Sequence, residues 1–294
     1  MNFSEGGNNE DRSFAATNGG FGRPRRDRAR GRESIWSVEH ACVPSGYTTH
    51  YPRSADGKVP AVYAQLAETW VVLAIAAAAT KQIKLGTGIL LLAQHNVIET
   101  ARAAASLDLY SGGRLILGVG AGWFREEAEV MGVRFEQRWK HLRESVEALR
   151  ILWTQEEASY AGEVIKFPAL RVGPKPVQKP CPPIVLGAHD PKYALRRVAR
   201  YADGWMPGGL SPDKAMESIP QIKRLAREYG RDPERLQFSV ALTMHGNEPS
   251  ADTLKRYDSA GVSRIIVMAT AAASGDGVKA IRAIAPVVER AAKV

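Results

Sequence analysis

The chain has few of the residues that commit a protein to special chemistry or a special compartment. It holds two cysteines in 294 residues, Cys42 and Cys181. They lack both metal-ligand spacing and a secretory context, which excludes a disulfide framework and a cysteine zinc site and leaves two reduced thiols. Six histidines are present, but none forms an H-x-H or H-E-x-x-H pair. That argues against a metal-dependent hydrolase built on neighbouring ligands, and His50, His95, His141 and His245 read as loop or surface residues. The longest strongly apolar run is WVVLAIAAAA, Trp70 to Ala79. It is about half the length a bilayer span requires. With no signal peptide ahead of it, the expected location is cytoplasmic.

Acidic residues are also in deficit, 31 against 40 basic, for a net charge of +9. Part of the excess lies in GRPRRDRARGR, residues 22–32, which reads as a solvated tail. Elsewhere signs are mixed, and WFREEAEVMG and RWKHLRESVEALR read as solvated helix faces. No nucleic-acid partner is expected. The competing non-enzymatic reading has the tail tether an inactive barrel to RNA or an anionic surface, with affinity that collapses as salt rises.

Residues 1–33 have no apolar period of either 2 or 3.6 and are expected to be irregular or disordered. From Ser34 to the C-terminus the text alternates. Short apolar strands (SIWSVEH, IKLGTGILLL, RLILGVG, PIVLG, DGWMPGG, LQFSVALTM, VSRIIVMAT) are followed by helical stretches, the last of them GVKAIRAIAPVVERAAKV. Leu142, Val146, Leu149 and Trp153 recur at helical spacing, as do Ile98, Ala101, Ala105 and Leu109. Between Gln155 and Pro183 the alternation is interrupted by a small hairpin and Pro-rich extended chain. Strands apolar on both faces, each followed by a helix, predict a parallel sheet covered by helices. Seven such units fall one short of a closed (β/α)8 barrel, with a doubly wound sheet as the rival.

Several strand ends carry little side-chain bulk. Glu39 and His40 close the first strand, and Gly88 and Ile89 lie at the end of the second. Gly118, Gly120, Ala121 and Gly122 follow the third, and Gly187, Ala188 and His189 follow the fourth. GVGAG is a poor dinucleotide fingerprint, because its third glycine would fall on Trp123 and the turn does not follow the first strand. At the C-terminal lips of a barrel these turns instead form a shallow platform for a flat ring. In GAHDP, Asp190 or Pro191 opens a helix suited to receive a phosphate.

From about Ser34 onward the chain resembles the luciferase-like superfamily, in its deazaflavin (coenzyme F420) oxidoreductase branch. The resemblance is carried by SVEH, YPRSADGKVP, IKLGTGILLL, LDLYSGGRLILGVGAGW, EEAEVMGVRFEQR, SYAGEVIKF, PKPVQKPCPPIVLGAH and ADGWMP. It implies a TIM-like barrel with the cofactor across the C-terminal strand ends and hydride transfer at the deazaflavin ring. It further implies that His40 is the active-site histidine, that Glu39 contacts the ring system, and that Gly88-Ile89 is a bulge, often a non-prolyl cis peptide, propping the ring. Ala121 and Gly122 would line the cofactor edge, with Gly187, Ala188 and His189 as the phosphate cradle. FMN is the alternative cofactor, which would make the protein a flavin monooxygenase. The expected partners are a small organic substrate and a second copy in a homodimer.

Members of that family begin with an apolar strand and a helix that residues 1–33 do not spell. Either the first βα unit is degenerate or lost, or the segment is translated from a shifted reading frame, an alternative that the encoding nucleotides decide.

Overall fold

The computed structural model describes residues 19–22, 33–189, 193–244 and 249–269. Seven parallel strands form the wall of a barrel: β2 (Ser34–Ser37), β3 (Lys84–Thr87), β4 (Leu115–Val119), β7 (Ile184–Leu186), β8 (Gly204–Trp205), β9 (Gln237–Met244) and β10 (Arg264–Ala269). The gap between β10 and β2 is closed by β1 (Gly19–Gly22), which runs antiparallel to both. The strand order β1-β10-β9-β8-β7-β4-β3-β2 makes a closed barrel. The rival open sheet is thereby replaced by a ring without free edges. Where a parallel first stave belongs there is a four-residue antiparallel one, so the first unit is degenerate in direction as well as length.

Helices cover the outside. Helix α1 (Thr69–Ala79) follows β2, α2 (Val97–Ser111) follows β3, and α3 (Arg125–Val130) with α4 (Arg138–Thr154) follow β4. Beyond the insertion come α5 (Ala194–Tyr201), α6 (Pro212–Glu228) and α7 (Ala251–Ser259). The α4 stripe Leu142, Val146, Leu149 and Trp153 is buried as its spacing predicts. In α2 the stripe holds at Ala101 and Ala105 but fails at Leu109, which is 40% exposed; Asp108 is buried in its stead. The Asp108 carboxylate accepts hydrogen bonds from the backbone N–H of Val177 and Gln178 and from the Gln178 amide, at 2.7–3.0 Å. It thereby ties the Pro-rich chain to the barrel. The expected hairpin is present as β5 (Ala158–Ala161) and β6 (Lys166–Leu170).

The barrel interior is packed solid. Trp36, Ile116, Val185, Met206 and Ile266 fill it, with Ile89 partly buried against them. Gly86 is required by that filling, since a Cβ there would stand 2.3 Å from the Trp36 ring. At the opposite end Arg264, 8% exposed, donates to both oxygens of Glu33 at 2.9–3.0 Å and closes the floor. The barrel is therefore left open to chemistry, among the described residues, at the C-terminal strand ends. Among the described residues, no helix is long and apolar enough to cross a membrane. The expected C-terminal helix, the basic run 23–32, His245, and the helix opening at Asp190-Pro191 lie outside the described residues.

Candidate active site

Strand β2 ends at Ser37, and its extension delivers Glu39 and His40 to the barrel mouth. The two side chains are held in different ways. His40 Nδ1 lies 2.8 Å from Glu127 Oε2, and Glu127 is fully buried in the first turn of α3. A carboxylate can only accept, so the neutral imidazole carries its proton on Nδ1 and keeps Nε2 as the basic nitrogen. Among the described residues nothing hydrogen-bonds Nε2. The other Glu127 oxygen accepts the backbone N–H of Ala41 at 2.7 Å, which fixes the carboxylate in turn. Tyr63 stacks on the imidazole with ring centres 4.6 Å apart, and Trp123 meets it edge-on at 5.8 Å.

Glu39 is engaged with the protein itself. One oxygen accepts the Leu91 N–H at 2.6 Å and the other lies 2.8 Å from His95 Nε2. Burial disfavours the charged His95 ring, but the hydrogen bond to Glu39 and the charges of Glu39, Glu68 and Glu99 outweigh it and raise its pKa. His95 lies in the loop ahead of α2, as the sequence reading has it, and is in addition a partner of the site. The segment this pair braces contains the Gly88–Ile89 peptide, which is cis as the resemblance implies.

The glycines at the end of β4 and in the turn that follows it owe their place mainly to packing. A Cβ on Gly118 would stand 2.0 Å from the Thr87 carbonyl oxygen, and one on Gly120 would stand 2.0 Å from Ile89 Cδ1. Gly187 faces Ile89 likewise, at 2.6 Å. The strand ends after β4 and β7 thus close on the isoleucine that follows β3, and its partly buried side chain forms the seat of the mouth. Gly122 has φ +78°, a conformation that disfavours any other residue. It also borders Gln94, whose buried amide has no partner among the described residues at either Oε1 or Nε2. Ala121 and Ala188 are buried at the same rim, while His189 is exposed and accepts the Gly208 N–H at Nε2, 3.3 Å away.

The long loop after His40 folds over the mouth, held by the pair of glutamates that follows the glycine turn. Glu126 Oε1 accepts the backbone N–H of Thr48 at 2.6 Å and of Thr49 at 3.1 Å. Burial pushes its carboxyl up, but the bonds from Thr49 and Thr48 outweigh this and hold its pKa at about 2. The segments read as solvated faces therefore need correcting at three positions: Glu126 and Glu127 bind the loop, and buried Glu144 caps the hairpin at Val164 and Ile165. Sequence reading missed Glu127, Tyr63 and Gln94. The available signal for Glu127 was two adjacent acids immediately after a strand-end turn.

The luciferase-like monooxygenase family profile matches residues 29–290. An uncharacterized Mycobacterium tuberculosis protein is 36% identical over 239 residues, spanning 80% of this chain and 82% of its own. An F420-dependent secondary alcohol dehydrogenase, solved with an F420–acetone adduct, matches with TM-score 0.60 at 23% identity, over 76% of this chain and 64% of its own. The oxygenating constituent of 3,6-diketocamphane monooxygenase from Pseudomonas putida, solved with FMN, matches with TM-score 0.55 at 19% identity, over 76% and 60%. At such identities the structural likenesses establish the fold, and the family rests on the profile and the bacterial relative. Together with the closed barrel and its furnished C-terminal mouth, they show that this chain belongs to the luciferase-like monooxygenase family.

Proposed function

We propose that the protein is an oxidoreductase transferring a hydride between coenzyme F420 and a small organic substrate, with His40 moving the accompanying proton. The observation that carries this reading is the 2.8 Å contact between His40 Nδ1 and buried Glu127. A histidine whose tautomer is fixed from behind is equipped to act as base or acid at its other nitrogen.

The unpartnered Gln94 amide supports a fit to a flavin-like ring. A carboxamide presents a donating NH2 beside an accepting oxygen, the complement of a pyrimidinedione edge, and it adjoins the Gly122 turn. Ile89 would support the ring face, and Gly187, Ala188 and His189 would hold the phosphate end. Glu39 would act at one remove, by fixing the segment after Ile89. When bound, the deazaflavin supplies a hydride donor or acceptor at one ring carbon. The remaining work belongs to the chain. In the oxidative direction His40 Nε2 takes the hydroxyl proton as the carbinol hydrogen leaves with its electron pair, and Glu127 stabilises the imidazolium. Tyr63 and Trp123 shield the imidazole from water. In the reductive direction the same nitrogen returns the proton to the carbonyl oxygen.

A second reading, an FMN-dependent monooxygenase, uses the same seat and phosphate lip. It draws support from the FMN-bound structural neighbour. The inactive tethered barrel is disfavoured by the His40–Glu127 pair, which such a protein would not need. The assembly that goes with the enzymatic reading is a homodimer. Its support is the outer side of α1, a helix without charge on which Val71 is 57% and Ile75 39% exposed; light scattering measures it.

The test of the catalytic assignment is His40→Asn, assayed with F420 against a panel of secondary alcohols and ketones. Turnover should fall by on the order of 100- to 10,000-fold while the F420 dissociation constant stays within a factor of about two. Unchanged turnover with normal cofactor binding would remove His40 from the chemistry.

A further inference from the structure

The loop over the mouth carries a cation that the reaction described above does not use. Arg53 sits in a turn closed by its own backbone: Tyr51 N–H donates to the Gly57 carbonyl at 2.8 Å, and Ser54 Oγ donates to the Lys58 carbonyl at 3.2 Å. The Tyr51 and Tyr63 hydroxyls, 2.8 Å apart, fasten that turn to the residue stacked on His40. From there the Arg53 guanidinium crosses to the far rim, where Nη2 lies 3.4 Å from His189 Nε2. It also rests on Gly208, where a Cβ would stand 2.1 Å from Nη2.

Among the described residues Arg53 meets no carboxylate. Its neighbour there is an imidazole nitrogen that already accepts the Gly208 N–H, so His189 carries its own proton on Nδ1. Loss of water around the His189 ring and then the Arg53 charge hold its pKa below the ordinary value, which keeps it an acceptor at neutral pH. A guanidinium has five N–H donors and no accepting atoms, and among the described residues one long contact to a neutral ring leaves most of them facing solvent at the mouth. The rim it reaches follows β7, at Gly187 to His189.

We infer that Arg53 is an anion clamp, closing from the mouth loop onto the phosphate of the bound hydride carrier opposite Gly187, Ala188 and His189. This rests on the proposed seating of a phosphorylated carrier at that rim, and it adds a residue to the cradle from a loop more than a hundred positions earlier in the chain. Charge-assisted, forked contact from arginine to phosphate is the pairing this geometry would allow. Gly208 is the matching concession on the rim, because any side chain there would occupy the guanidinium's place.

The experiment titrates the full-length protein with two pairs of ligands, following absorbance or fluorescence: F420 against its phosphate-free deazaflavin riboside, and FMN against riboflavin. The wild type should prefer the phosphorylated member of the pair that matches its cofactor. Arg53→Met should weaken binding of that member by roughly tenfold to a hundredfold and leave the phosphate-free parent within about twofold. Gly208→Ala, which evicts the guanidinium from the opposite side, should reproduce the loss. If the wild type prefers the phosphorylated member and Arg53→Met keeps the full preference, the clamp is overturned while the cofactor reading stands. If the wild type binds no member of either pair, that reading fails and the clamp fails with it.

Discussion

A histidine at a barrel lip becomes a useful acid or base once something decides which ring nitrogen bears the proton. In this protein Glu127 decides it, and Glu127→Gln tests how much depends on that. The amide would turn its NH2 toward Nδ1 while its oxygen keeps the Ala41 N–H, so the imidazole would adopt the opposite tautomer. We predict a fall in kcat of about 100-fold or more, with KM and cofactor affinity nearly unchanged and a melting temperature close to wild type. A loss of that size with KM and cofactor affinity unchanged would fit positioning; unaltered kcat in Glu127→Gln would contradict it. His40 and Glu39 are legible in the sequence because they end a short apolar strand, where barrel chemistry collects. Glu127 is not, because its partner lies 87 positions away and its local pattern, a charged helical turn, is the same as that of a solvated face. Arg53 is hidden for the same reason, as one cation among 40.

At the level of elements, the glycines at the end of β4 and in the turn after it combine two requirements that the sequence cannot separate. Their bare main chain suggests room for a ligand, yet Gly118, inside β4, and Gly120, just after it, are first demanded by the wall itself. Gly118→Ala should destabilise the fold by about 1–3 kcal/mol or more, because its neighbour is backbone and cannot turn aside. Gly46→Ala, with nothing within 4 Å, should stay within about 0.5 kcal/mol. Thermal melts compare the two, and equal effects would refute the packing account. The brace behind the seat is testable by pH. His95 has a pKa raised above its ordinary 6.5, so protonation favours the folded state. That contribution is complete below pH 6.5 and is lost as pH rises through the raised value. Wild-type melting temperature should therefore decline as pH rises from 6.5 through the raised value, and His95→Gln should flatten the decline; superimposable profiles would count against the brace. The tether at Glu126 has the opposite sign. Its stabilisation is present above pH 4.5 and disappears as pH falls toward 2, so the mouth loop should stay attached at any pH where the enzyme works.

For the molecule as a whole, the alternation of apolar strands and helices made the barrel readable, because the seven parallel staves are largely buried on both faces and each helix has its own period. The closing stave was not readable. Gly19–Gly22 has the text GGFG, which carries no alternation, and its place depends on the unpaired backbone of β2 and β10 rather than on side-chain pattern. Closure leaves the C-terminal mouth as the place where His40, the Ile89 seat and the rim at Gly187 to His189 meet, and the proposed function requires that these act as one site for one flat, phosphorylated carrier. The most direct measurement is an absorbance and fluorescence titration of the purified native protein with F420 and, separately, with FMN. The account predicts saturable one-to-one binding of F420, with a perturbed ring spectrum and clearly weaker binding of FMN. Saturable binding of FMN without F420, or of neither carrier, would contradict it.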